Sequence, residues 1–133
     1  MRNLTNWKFS LILFFGIVFA AKGQNKELSV EINHELGTDA WRVQGRNIIV
    51  DYGSASAGRA LWGIGTVTYE LKYEYVGREE MNVWVLHIKC RDGNGCIEDP
   101  SFPEFEPSKE YQQVLSGSED RARRVLKFLE QMK

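Results

Sequence analysis

The sequence has few of the residues that catalytic and metal-binding sites require. Its 133 residues include only two cysteines, two histidines and three prolines. His34 and His87 are far apart in the chain, and no G-x-S-x-G motif places a serine nucleophile on a sharp turn. The acidic pairs of the sequence lie in predicted turns, where carboxylates usually face water. We therefore predict no catalytic residue, no metal ligand and no cofactor.

Long hydrophobic runs are also scarce, because the chain has one such run, Phe9–Ala21. Its thirteen residues are fewer than the roughly 20 that a membrane-spanning helix needs. Arg2 and Lys8 precede the run and Ala21-Lys22-Gly23 follows it, which is typical of a secretory signal peptide. We expect residues 1–23 to be removed and the protein to be periplasmic or secreted, with no membrane span in the mature chain. An uncleaved anchor is the competing interpretation.

An excess of positive charge is absent. The net charge is −1, and removal of residues 1–23 would leave 14 basic and 18 acidic residues, a net charge of −4. This balance argues against a nucleic-acid partner, because such partners favour basic faces. The expected partner is a protein or a small molecule of unknown identity. The roughly 110 residues of 24–133 match the usual size of one domain.

The two cysteines are close together. Cys90 and Cys96 enclose Arg-Asp-Gly-Asn-Gly, which contains two turn-forming dipeptides. In an exported chain such a pair is expected to form a disulfide that joins the two arms of a hairpin. The C-x5-C spacing is not that of a C-x-x-C redox motif.

Period-two patterns predict a sheet. Leu28, Val30, Ile32, His34 and Leu36 alternate with polar residues and predict a first strand over Lys26–Leu36. Further strands are predicted at Trp41–Gln44, Ile48–Tyr52, Thr66–Val76, Met81–Cys90, briefly after Ile97, and at Tyr111–Leu115. Small residues at 53–58 predict a loop.

The carboxyl end predicts a helix over residues 118–132. Ala122, Val125, Leu126, Leu129 and Met132 form one apolar stripe at helical spacing. Ser116 or Ser118 can cap this helix, and Glu119 and Asp120 suit its amino-terminal end.

Strands followed by a helix predict an α+β fold. We expect a strongly bent antiparallel sheet or roll of about six to seven strands, closed by the carboxyl-terminal helix. This order resembles the pleckstrin-homology-like superfold. The stretch WVLHIKCRDGNGC followed by SEDRARRVLKFLEQMK is also similar to a pattern in uncharacterised exported bacterial proteins. The first turn, Leu36–Asp39, has no Lys or Arg, so inositol-phosphate binding is not implied.

Three residues are candidates for a binding surface. Trp62 lies beside the predicted loop and would contribute to such a surface if it were exposed, although a core position is the competing interpretation. Arg121 and Arg124 could form an anion-binding patch, or simply a solvated helix face. We expect a non-enzymatic exported domain that binds a partner through a sheet face or loops. The alternatives are a small hydrolase or inhibitor module that uses His34 or His87, and a structural subunit of an envelope assembly.

Overall fold

The computed structural model describes residues 23–53 and 59–133. Within them, helix α1 covers residues 23–36. The elements that follow are β1 (Trp41–Gln44), β2 (Asn47–Asp51), β3 (Arg59–Gly63), β4 (Val67–Val76), β5 (Met81–Cys90), β6 (Glu110–Leu115) and α2 (Glu119–Gln131). Residues 1–22 of the predicted signal peptide, which covers residues 1–23, lie outside the described residues, as does most of the predicted loop 53–58.

The α+β class is confirmed, but the single bent sheet is not. The described strands form two antiparallel three-stranded sheets, with strand orders β1-β2-β3 and β4-β5-β6. Neither sheet is closed or strongly curled. Residues 64–66 separate β3 from β4, and Gly65 has a φ of +91°, a conformation that glycine adopts without strain. The chain leaves the first sheet there and begins a second one.

The predicted first strand is wrong, because residues 23–36 form helix α1. Leu28, Ile32 and Leu36 fit both an alternating pattern and a four-residue spacing, so the pattern did not separate the two structures. The buried residues Asn25, Leu28, Ser29 and Ile32 follow the helical spacing, whereas Val30 is 63% exposed. The helix ends at Leu36, where the predicted turn begins, and Gly37 follows it with a φ of +64°.

The predicted disulfide is confirmed, since Cys90 and Cys96 are bonded and their Cα atoms lie 5.8 Å apart. The segment after it joins the two sheets. Leu61 of β3 exchanges backbone hydrogen bonds with Glu98, at 2.8 and 2.9 Å, and Ile97 exchanges bonds with Ser108. The predicted strand after Ile97 is therefore reduced to isolated bridges.

The predicted carboxyl-terminal helix is confirmed as α2. The Ser118 side chain caps it by accepting a hydrogen bond from the Arg121 N–H at 3.2 Å. The apolar stripe of α2 is buried at Ala122, Val125 and Leu129 and packs against β4 and β5.

Aromatic side chains fill the space between the two sheets. Trp41 of β1 and Trp62 of β3 meet edge to face at 6.0 Å between ring centroids, and Trp62 lies 6.2 Å from Tyr111 of β6. The Trp62 indole N–H donates to the Tyr69 hydroxyl of β4 at 3.1 Å. Burial raises the pKa of Tyr69 to about 12. Both sheets therefore share one apolar core with α1 and α2.

None of the described helices combines the length and the apolar character that crossing a membrane would demand.

Candidate functional site

The structure places Trp62 in the core, so the interpretation of Trp62 as an exposed binding residue is wrong. Its exposed fraction is 0%, and its ring is enclosed by Trp41 and Tyr111. Trp62 is therefore not accessible to a ligand from solvent, and its hydrogen bond to Tyr69 gives its indole N–H a partner.

Arg121 and Arg124 lie together on α2, but an acid from α1 faces them. Arg124 donates two hydrogen bonds to the Glu35 carboxylate, at 2.8 and 3.0 Å, and Arg121 Nε lies 3.9 Å from the same group. The Arg124 hydrogen bond is the largest cause that lowers the pKa of Glu35. The pair of arginines is thus partly neutralised within the fold and joins α1 to α2, which weakens its case as an anion site.

The two histidines occupy different environments. His34 belongs to α1 and is exposed, whereas the sequence pattern placed it on a predicted strand. His87 lies on β5, is 5% exposed, and contacts a carboxylate with each ring nitrogen. Its Nδ1 is 2.8 Å from Glu110 Oε1 of β6, and its Nε2 is 2.7 Å from Glu74 Oε1 of β4. We call these three residues the histidine clamp.

The chemistry of the histidine clamp favours a structural role. A neutral imidazole carries one N–H, so only the doubly protonated ring can donate to both carboxylates at once. The hydrogen bond from His87 is the largest cause that lowers the pKa of Glu110. A general base needs a ring nitrogen free to face the substrate, and here both nitrogens face carboxylates of the neighbouring strands. The clamp thus ties all three strands of the second sheet together.

A surface cleft lies at the other end of the second sheet. β6 ends at Leu115, which pairs with Trp84, whereas β5 begins three residues earlier at Met81. On its β6 side, β5 thus has no strand partner over residues 81–83 among the described residues. A cleft of about 500 Å³ occupies this notch. We call it the hairpin cleft; its lining residues are Tyr73, Glu79, Met81, Asn82, Val83, Trp84, Val114, Leu115, Ser116 and Gly117.

Large side chains stand exposed around the hairpin cleft. Met81 is 58% exposed and Tyr73 is 59% exposed, so both side chains are available to pack against a bound ligand. The Tyr73 and Trp84 rings lie 5.0 Å apart, and the Arg123 guanidinium lies 5.8 Å from the Trp84 ring. The cleft combines an open strand edge with an aromatic wall.

Sequence reasoning missed both features. The two acids of the histidine clamp lie on different strands from His87, and nothing in the local pattern couples them. The sequence did contain a signal for the hairpin cleft, because the last predicted strand, Tyr111–Leu115, is much shorter than the predicted strand Met81–Cys90. A short strand beside a long one leaves part of the long strand without a neighbour.

No family model, no curated protein and no solved structure matches this chain. The resemblance to pleckstrin-homology-like domains and to exported bacterial proteins stays a prediction.

Proposed function

We propose that this protein is an exported, non-enzymatic binding domain that takes up an extended peptide segment of a partner protein in the hairpin cleft. The observation that carries the proposal is the unpaired edge of β5 at residues 81–83, which lies inside a cleft with aromatic and methionine walls. Export is supported by the signal-peptide pattern of the first 23 residues.

An extended peptide fits the hairpin cleft because it supplies hydrogen-bond partners for the backbone of β5 on its β6 side, where no described strand pairs with residues 81–83. A peptide strand that continues the line of β6 would pair with residues 81–83, as in the β-strand addition used by many peptide-binding domains. Alternate side chains of that strand would point towards the two faces of the sheet. One set would meet Trp84 and Tyr73, so we expect a preference for a large apolar or aromatic residue.

The flexible thioether of Met81 suits this role, since methionine adapts its shape to different apolar partners. The volume of about 500 Å³ lies within the usual range for ligand sites. It accommodates a few residues of a peptide rather than a folded surface.

The test is selection from a random peptide library displayed on phage, followed by affinity measurement with the selected synthetic peptides. We expect Met81→Glu to reduce affinity at least tenfold, because the charge would be desolvated in the apolar part of the cleft. Val30→Glu is the matched control, since Val30 is 63% exposed on α1, outside the hairpin cleft. Val30→Glu should bind the selected peptides with the affinity of the wild type.

Three results would contradict the proposal. The first is a library that yields no binders, and the second is equal binding by the two variants. The third is turnover of a generic ester, peptide or glycoside substrate that one point mutation abolishes. The last result would favour the hydrolase alternative, with His87→Gln and His34→Gln as the variants to compare.

A further inference from the structure

The outer edge of β4 is a second open strand edge, distinct from the hairpin cleft. β4 is ten residues long and pairs with β5 along its whole length, from Val67 to Val76. In the sheet order β4-β5-β6 it has no strand on its other side within the described part of the chain. A long open edge is a template for pairing with another strand unless something covers it.

Charge alternates along this edge. Glu70, Lys72 and Glu74 share one face of β4, and Tyr69, Leu71, Tyr73 and Tyr75 share the other. The two most exposed side chains of the tyrosine face are Tyr73 at 59% and Tyr75 at 66%. A partner strand for this edge therefore needs a positive charge opposite Glu70, a negative charge opposite Lys72, and apolar groups opposite the tyrosines.

A second copy of β4 meets those requirements in one register. Antiparallel pairing about a two-fold axis at Leu71 puts Glu70 opposite Lys72 of the second copy, and Lys72 opposite its Glu70. The same register puts Tyr73 opposite Tyr69 and Tyr75 opposite Val67 of the second copy. It also leaves Glu74 opposite Thr68, free to keep its 2.7 Å contact with His87.

The neighbouring registers are worse. An axis at Lys72 would place Lys72 opposite Lys72 of the second copy, and Glu70 opposite its Glu74. Both pairs bring like charges together. An axis at Tyr73 would set Lys72 against Glu74, a carboxylate that His87 already holds.

We propose that two copies of this chain pair through their β4 strands, with the two-fold axis at Leu71, and join their second sheets into one six-stranded sheet. The interface is isologous, so each Glu–Lys pair occurs twice. The interface uses the edge of β4 that faces away from β5. The hairpin cleft uses the edge of β5 that faces β6. Different variants therefore test dimer formation and peptide binding.

The test is sedimentation velocity over a wide range of concentrations, on protein purified after expression with its own leader. The wild type is expected to dimerise. Lys72→Glu would set Glu against Glu in both pairs, and we expect the dimer dissociation constant to rise about tenfold to a hundredfold. The double variant Glu70→Lys with Lys72→Glu exchanges the charges within each pair and should restore the dimer. Lys127→Glu, on an exposed position of α2, makes the same charge change as Lys72→Glu and should leave the dimer intact.

A cysteine placed on the axis checks the register. Leu71→Cys should form an intermolecular disulfide on mild oxidation, because a residue on the axis faces its own copy. Tyr75→Cys should not form this disulfide, because in this register residue 75 faces Val67 of the second copy, and residue 75 of that copy lies eight positions further along the strand. A wild-type protein that stays monomeric, a dimer that Lys72→Glu leaves unchanged, or a charge exchange that fails to restore pairing would each overturn the proposal.

Discussion

The Asn33 side chain holds both backbone polar groups of Trp41. Its Nδ2 donates to the Trp41 carbonyl at 2.8 Å, and the Trp41 N–H donates to Asn33 Oδ1 at 2.9 Å. Asn25 holds Lys133 in the same manner, at 2.8 and 3.2 Å. Two side-chain amides of α1 thus fix this helix to the start of β1 and to the end of the chain.

Asn33→Ala should destabilise the protein by about 1–3 kcal/mol, because it removes two hydrogen bonds and leaves two partly buried backbone groups without their partners. Urea unfolding followed by circular dichroism gives the free energy. Gln24→Ala, at an exposed position of the same helix, is the control and should change the stability little. Equal stability of the two variants would show that the amide is dispensable.

Reduction of the Cys90–Cys96 disulfide should lower the free energy of unfolding by about 2 kcal/mol, because the bond closes a short loop and restricts the unfolded chain only modestly. The measurement is the melting temperature with and without a phosphine reductant. The double variant Cys90→Ser with Cys96→Ser should match the reduced wild type and should not respond to the reductant. A reductant effect of the same size in that variant would mean that the loss has another source.

The histidine clamp predicts a sensitivity to acid. Because His87 holds the folded pKa of Glu110 below its ordinary value of 4.5, the ionised carboxylate stabilises the fold at pH values above that value. This contribution is lost as the pH falls through the lowered pKa. Glu35 and Asp51 also have lowered pKa values and contribute to the same trend.

The comparison of variants isolates the contribution of the clamp. His87→Gln should flatten the fall in urea midpoint between pH ~6 and pH ~3, because the ring that holds the Glu110 carboxylate is gone. His34→Gln changes an exposed histidine that is the smallest of the causes lowering the pKa of Glu35, so its slope should stay close to that of the wild type. Identical slopes for all three proteins would rule out the clamp as a source of acid sensitivity.

Trp62→Ala should destabilise the protein by about 3–5 kcal/mol, since it empties the space between the two sheets. Trp62→Phe should cost less, because the ring contacts with Trp41 and Tyr111 are partly kept while the hydrogen bond to Tyr69 is lost. Thermal unfolding of both variants provides the check. Phe105→Ala, at a 66% exposed aromatic, is the comparison and should change the melting temperature little. A Trp62→Ala variant as stable as the wild type would contradict the core position of Trp62.

Local patterns were sufficient where neighbours in the chain decide the structure. The stripe from Ala122 to Met132 and the Ser118 cap predict α2, and the strong alternation from Thr66 to Val76 predicts β4. The paired cysteines enclose a turn of five residues, so their bond also depends on nearby residues. In these cases the burial pattern and the hydrogen-bond partners lie within a few positions of one another.

The sequence by itself determined the α+β class, the terminal helix α2, the long strands β4 and β5 and the Cys90–Cys96 disulfide. Only the tertiary structure decided that residues 23–36 are helical, that the strands divide into two sheets, that Trp62 is buried and that His87 lies between Glu74 and Glu110. The physical reason is distance along the chain. Asn33 and Asn25 are fixed by Trp41 and Lys133, and His87 by residues 13 and 23 positions away, so no local periodicity records these contacts.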